Sequence, residues 1–480
     1  MSTSTNLDLW QQYGPHLLVL QPFMDSVLCG GEGCYVVDAD GRRILDLAGG
    51  QFCTVLDYDD KRLPQAIAAQ AKKLIHIGDQ YVSENVLTCV AKIAEITPPK
   101  LTKSVLLSTG SEANECAMRM AKVATQRTGM LAYDRGYYGI SLATRNLSAI
   151  SDIYGKVDFQ PTIPGQLRLI TPNCSQCPLQ LRHPECGLQC LKLSVDQISN
   201  QVENIAAVIV EPIISAGGMI VPPVDYVREL ARFAASIGAL FIADEAQTGF
   251  GRCGTWFDIE HYEVEPDILV FSKTSGNGYP TAGVVVSDEV ARELESRGFT
   301  HLSSHQNDPL GAAVVSTVID IIRDDHLVDN AREVGDYLRA QLIALQERHA
   351  IVSDVRGRGL MIGMALDGAN ADTKLAFKLA MMCERRGLRI TFSYYEPVIR
   401  FIPPLTLTRA DVDVAIGILD EVLGLLAVGR ADSDAMPRNP FSHSFIKRLN
   451  GETDLINIAR KLWTQSPQAI VSKTLAKLRT

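Results

Sequence analysis

A chain of 480 residues is long enough for two or three domains and a large buried core. Its composition, 46% apolar and 21% charged, is that of a globular enzyme, and a formal charge of -9 argues against nucleic acid or an anionic membrane as the main partner. An anionic small molecule is not excluded, because backbone N–H groups and a few local cations can hold one. The stretch from Met1 to Leu9 lacks the basic-then-apolar pattern of a signal peptide, and no apolar run reaches about 18 residues, so a soluble, cytoplasmic protein is expected.

Along the chain, residues 34–47 read as two short strands around a turn at Asp38 to Gly41, on the strength of an Asp-Gly context between apolar runs. Residues 61–96 carry the apolar spacing of amphipathic helices, through Leu63, Ile67, Ala71, Leu74, Val86, Val90 and Ile93. Short apolar runs at 104–107, 130–133, 206–210, 240–243 and 268–271 then alternate with helical stretches. That alternation predicts a largely parallel sheet covered on both faces. After Pro309 a helical pattern runs to about His349, and a Gly-rich return with further strand and helix signals reaches about Ala427. The expected division is 1–59 as the N-terminal part of a small α+β domain and 60–320 as a large α/β domain. Residues 321–427 complete the small domain, and 428–480 form an extension that opens with a polar linker and ends in two helices.

Three segments carry chemistry. Ser108-Thr109-Gly110-Ser111 follows a strand pattern and opens a helix, so free N–H groups and the helix dipole would face an anion; plain capping gives the same pattern. Asp244 ends an apolar run, where ligands bind in open α/β sheets, and its carboxylate would hold a protonated heterocycle nitrogen. Gln247, three residues on, would donate to the same ligand. Lys273 also ends an apolar run, beside Phe271, Ser272, Thr274 and Gly276, a setting unlike a solvated surface lysine. Desolvation there would disfavour the ammonium and leave an amine able to bond a carbonyl carbon.

Taken together, ADEAQTGFGR, the lysine of FSKTSGNGYP 29 positions after Asp244, STGSEAN and VIVEPI resemble the class III aminotransferases, which are pyridoxal phosphate enzymes of fold type I. The resemblance runs from about Asp38 to Leu425. It implies a mostly parallel seven-stranded sheet in the large domain and a homodimer or dimer of dimers with shared active sites. It also implies that Lys273 holds the cofactor covalently and moves the proton at the substrate α-carbon, with Asp244 on the ring nitrogen. Gln247 would contact the phenolic oxygen, and Thr109, Gly110 and Ser111 the phosphate. Tyr137 would stack on the ring; Tyr138 stands where the family has His. Ser304 would reach the phosphate of a neighbouring subunit, and Arg400 would grip the substrate carboxylate as a bidentate fork.

Two positions narrow the reaction. Family members acting on ω-amino donors often carry a glutamate that neutralises the carboxylate-binding arginine; Ala216 stands there, which favours an α-amino acid. Gln51, in DLAGGQF, resembles the glutamine of the family's 2,2-dialkylglycine decarboxylases. It implies catalysis of Cα–CO2 cleavage, followed by transamination of a 2-oxo acid such as pyruvate. Asp79, Ser304 and Asp308 fall near that branch's alkali-ion positions. The same fold also serves amino-acid racemases and epimerases, and Lys273 would suit one. A regulator without turnover would need loss of Lys273, Asp244 or Arg400, and a nicotinamide-linked dehydrogenase would need a G-x-G-x-x-G after a first strand.

Of 11 Cys, seven are scattered as buried thiols usually are: Cys29, Cys34, Cys53, Cys89, Cys116, Cys253 and Cys383. The other four, Cys174, Cys177, Cys186 and Cys190, lie in a Cys-rich insert at 171–193, with His183 as a spare ligand. Their spacing suits a structural zinc or other metal; two disulfides and free thiols are the alternatives.

Overall fold

The computed structural model describes residues 4–18, 23–149, 163–367, 373–393 and 396–428. The extension expected at 428–480 thus falls almost wholly outside the described residues. Seven strands form the large sheet, in the spatial order Leu101–Leu107, Ala282–Ser287, Ile268–Ser272, Leu240–Asp244, Ile205–Val210, Gly129–Tyr133 and Gln166–Leu169. Ala282–Ser287 runs antiparallel to both its neighbours, while the other neighbours pair in parallel. The five apolar runs read from the sequence are all strands here. Two further strands, Gln166–Leu169 and Ala282–Ser287, complete the expected seven.

Strand residues alternate between two cores, as the period of two demands. Leu131, Tyr133, Val208, Val210, Ala243, Leu269 and Phe271 face one apolar cluster. Met130, Ala132, Ala207, Ile209, Ile242, Ile268 and Val270 face the other, against the helix Gly110–Thr125. Burial on both faces is why these strands read as unbroken apolar runs.

Two four-stranded sheets complete the fold. In one, the expected hairpin forms from Tyr35–Asp38 and Arg43–Asp46, and its second strand pairs in parallel with Leu388–Arg389 from far along the chain. The other orders Val352–Arg358, Met361–Leu366, Val398–Phe401 and Thr391–Phe392, all antiparallel. The helical pattern after Pro309 is two helices, Pro309–Asp324 and Leu327–Arg348, because His326 adopts a left-handed φ of 53° that ends the first. Among the described residues no helix is long and apolar enough to cross a membrane.

Candidate active site

Asp244 ends one strand and Lys273 directly follows the next, parallel one, with Asp244 in register with Val270. Asp244 is buried, and burial pushes its carboxyl above the ordinary range while the nearby Lys273, the Ala246 N–H and the Asn114 amide pull it back. Asn114 donates to Asp244 Oδ2 at 2.7 Å and to the Tyr138 carbonyl at 2.9 Å. Lys273 sits at a left-handed φ of 50°, uncommon for a side-chain-bearing residue and a recurrent feature of functional sites. Gln247 Oε1 is buried without a hydrogen-bond partner among the described residues, so its amide has unmet capacity.

Glu211, inside VIVEPI, was not singled out from the sequence, yet it lies in the same field. Its carboxyl accepts from Tyr137 N at 2.7 Å and from Ser215 N at 3.4 Å. Burial, followed by the repulsion of Asp244, raises its pKa to about 8. Asn114 was missed as well. Its signal was present, since it is the last residue of STGSEAN and stands four positions after Gly110, on the same helix face.

The small-residue turn at 108–111 leads into a capped helix, as its sequence suggests. Thr109 caps the helix Gly110–Thr125 by accepting from Glu112 N at 3.3 Å, and Glu112 in turn accepts from Ser108 N. Ser111 Oγ accepts from Ile140 N at 3.0 Å, which leaves its own O–H to donate elsewhere. A side chain at Gly110 would reach Ser272 at 3.4 Å, so the turn packs against the Lys273 strand end. Ser303, beside Ser304, donates to Glu112 at 2.6 Å, which brings the Ser304 loop to this helix start. Tyr137 is half-buried with its backbone fixed by Glu211. Tyr138 is a core residue: its ring packs beneath the sheet and its hydroxyl donates to the Ile209 carbonyl at 3.3 Å.

The Gly49–Phe52 segment brings Gln51 to the same region. Gly49, Gly50 and Phe52 have φ of 53°, 65° and 67°. Phe52 lies under the Arg400 guanidinium, 4.7 Å from ring centroid to carbon, and neighbouring Cys53 feels the Lys273 charge. Arg400 lies on the Val398–Phe401 strand, between two other strands, and is 4% exposed. Its Nη2 donates to the Phe392 carbonyl at 2.9 Å. Ala216, with no carboxylate to offer Arg400, accepts from Ser393 Oγ through its carbonyl at 2.6 Å.

Residues 22–423 match the family model for class III aminotransferases. The chain belongs to that family. It is 34% identical over 330 residues to an uncharacterized aminotransferase of Schizosaccharomyces pombe, covering 67% of this chain and 73% of that one. It is 30% identical over 338 residues to the leucine/methionine racemase of Thermococcus litoralis, covering 68% and 74%. Its fold superposes on a thermostable (S)-enantioselective omega-transaminase from Thermomicrobium roseum with a TM-score of 0.78, at 32% identity, covering 83% of this chain and 92% of that one.

Class III aminotransferases use pyridoxal phosphate, which supplies an electron sink for negative charge at a substrate's α-carbon. The residues of this aminotransferase fit that group. A buried carboxylate asks for a cationic partner, and a capped helix start offers N–H groups to a phosphate.

Two expected ion sites look different in three dimensions. Cys174, Cys177, Cys186 and Cys190 are free thiols; Cys174 and Cys190 are pushed up to about 11, by burial first and then by the neighbouring thiols. The four sulfurs do not close on a common point: among the described residues, the metal-ligating side chains with donor atoms within 4.8 Å of one another are His76, His305 and Asp308. In that cluster Asp308 accepts from His76 Nδ1 and His305 Nδ1, each at 2.6 Å, so both its oxygens are engaged. Two imidazoles suit an alkali ion poorly. A surface cleft of about 520 Å³ lies between the helices Gln189–Gln197 and Val224–Ser236, apart from Lys273.

Proposed function

We propose that this aminotransferase transfers the amino group of a small α-amino acid to a 2-oxo acid such as pyruvate. In this reading Lys273 holds the cofactor and carries the proton to and from the substrate α-carbon, and Asp244 keeps the ring nitrogen protonated, itself oriented by Asn114. Gln247 contacts the phenolic oxygen, Tyr137 covers the ring, and Thr109, Gly110 and Ser111 bind the phosphate, joined by Ser304 of a second subunit in a homodimer. Arg400 and Gln51 hold the substrate carboxylate. The observation that carries the choice of an α-amino acid is buried Arg400 stacked on Phe52, next to Gln51, with no acid at Ala216.

Gln51 extends the proposal to decarboxylation-dependent transamination. The test is a single turnover with 2-aminoisobutyrate, which has no α-hydrogen and reacts only by losing its carboxylate. Conversion of the cofactor to its amine form with carbon dioxide release supports that extension. No reaction, with L- or D-alanine converting normally, leaves ordinary transamination. The racemase among the relatives favours a second reading, to which exchange of the α-proton without net conversion would point. For the four insert thiols we propose a structural zinc, which would have to draw the sulfurs together from their described positions; total metal analysis of protein purified without chelator tests it, and only trace metal would refute it.

A further inference from the structure

The Gly49–Phe52 turn is supported from a direction that the chemistry above does not use. Asp46 is fully buried at the end of its strand and serves four donors. Its Oδ1 accepts from Ala48 N at 2.8 Å, and its Oδ2 accepts from Gly50 N at 2.9 Å, from the Tyr58 hydroxyl and from Arg389 Nη1 at 3.2 Å. Arg389 lies on the neighbouring parallel strand, in register with Asp46, and its Nη2 donates to the Gly50 carbonyl at 2.9 Å. One ion pair therefore grips both polar groups of Gly50, the N–H through Asp46 and the carbonyl through Arg389.

That grip acts one residue before Gln51. The turn cannot relax elsewhere: Gly49 has a positive φ and a Cβ there would fall 2.5 Å from the Ile402 carbonyl oxygen. Beyond Gln51, Phe52 is fixed beneath Arg400 and Cys53 lies within the field of Lys273. A side chain between two such anchors has its direction set by the backbone, and Gly50 is the part of that backbone with most freedom to move. A fork of five donors can serve a carboxylate and a carbonyl together; a lysine ammonium is a point charge on a flexible stem.

We propose that the Asp46–Arg389 ion pair is a positioning device for the substrate carboxylate, acting by holding the Gly50 peptide so that Gln51 faces the substrate. The inference rests on the reading of Gln51 as a substrate-binding group. Asp46 and Arg389 are positioning residues, and neither contacts the substrate.

The test is a double-mutant cycle on the holoenzyme with the fastest amino donor from a panel of α-amino acids, joined to hydrogen exchange on the apoprotein. Arg389→Met should lower kcat/KM by about tenfold or more without changing the cofactor absorbance, and Arg389→Lys should restore part of it. In a Gln51→Ala background the same substitution should cost less than about twofold, because its target is gone. Exchange of the Gly50 amide should quicken by about tenfold in Arg389→Met, a readout independent of turnover. An equal loss in both backgrounds, or unchanged Gly50 exchange, overturns the proposal while leaving Gln51 its role. A silent Gln51→Ala removes the reading of Gln51 and this inference with it. If Arg389→Met does not fold, Arg389→Lys carries the same cycle at reduced amplitude.

Discussion

Asp244 and Glu211 are buried carboxyls that feel one another and the half-buried Lys273 amine. Removing the amine by Lys273→Ala should abolish the absorbance of the lysine-bound cofactor, and a persistent band would sink the assignment of Lys273. Asp244→Asn keeps the shape and removes the charge, so it should cost most of the rate while cofactor remains bound; full activity would end its proposed role. Glu211 gives a pH test. Its folded pKa of about 8 lies above its ordinary 4.5, so between those values the folded apoprotein holds a proton that the unfolded chain has lost. Stability from this residue therefore falls as pH rises from about 4.5 to about 8 and is level above that. Glu211→Gln, neutral throughout, should gain on the native apoprotein across that window in thermal unfolding; parallel curves would show that Glu211 ionises normally. Lys273 and Asp244 were legible because each closes an apolar run. Asn114 stood in STGSEAN and was passed over, and Glu211 gave no such sign; the partners that define both, Asp244, Tyr137 and Tyr138, come from other elements.

Elements whose faces are both buried announce themselves, as four strands of the large sheet did, while Leu101–Leu107 was read from its apolar end. Gln166–Leu169 escaped because it is an edge strand with polar residues at alternate positions, and its four residues give a weak period of two. Ala282–Ser287 is fully buried and apolar, but it follows the small-residue stretch after Lys273, which masks its start as loop. The helix Gly110–Thr125 begins inside the small-residue turn itself, because Thr109 is the cap. Thr109→Ala should cost about 1 kcal/mol of stability through the lost cap. It should also weaken cofactor binding, since the same helix start is proposed to hold the phosphate. A stability loss with unchanged cofactor affinity would confine Thr109 to capping. The turn at Gly49–Phe52 was legible only as a sequence, Gly-Gly-Gln. Its left-handed angles follow from the Ile402 carbonyl and the Asp46–Arg389 pair, which only the assembled fold brings near.

At the scale of the whole molecule, the site depends on distant segments meeting, and Arg252 joins several of them. It ends the motif ADEAQTGFGR, is fully buried, and burial lowers its pKa to about 10. Its guanidinium donates to the carbonyls of Leu360, Pro403 and Thr54, which belong to the turn between two antiparallel strands, the segment after Phe401 and the stretch after the Gln51 turn. The backbone repeats the link, as Leu360 N donates to the Arg252 carbonyl at 3.0 Å. A cation buried so deeply is tolerated because it satisfies carbonyls that would otherwise be orphaned. Arg252→Met keeps much of the side-chain volume but strands those acceptors, at a cost on the order of 1–3 kcal/mol for each one left unpaired. The expected result is a thermal midpoint lowered by several degrees at a fixed scan rate, together with loss of activity, because the Gln51 turn and the Arg400 strand lose a common anchor. A variant as stable as the native protein would show that these carbonyls find other partners. A variant destabilised but fully active would show that the substrate side of the site holds its geometry without Arg252.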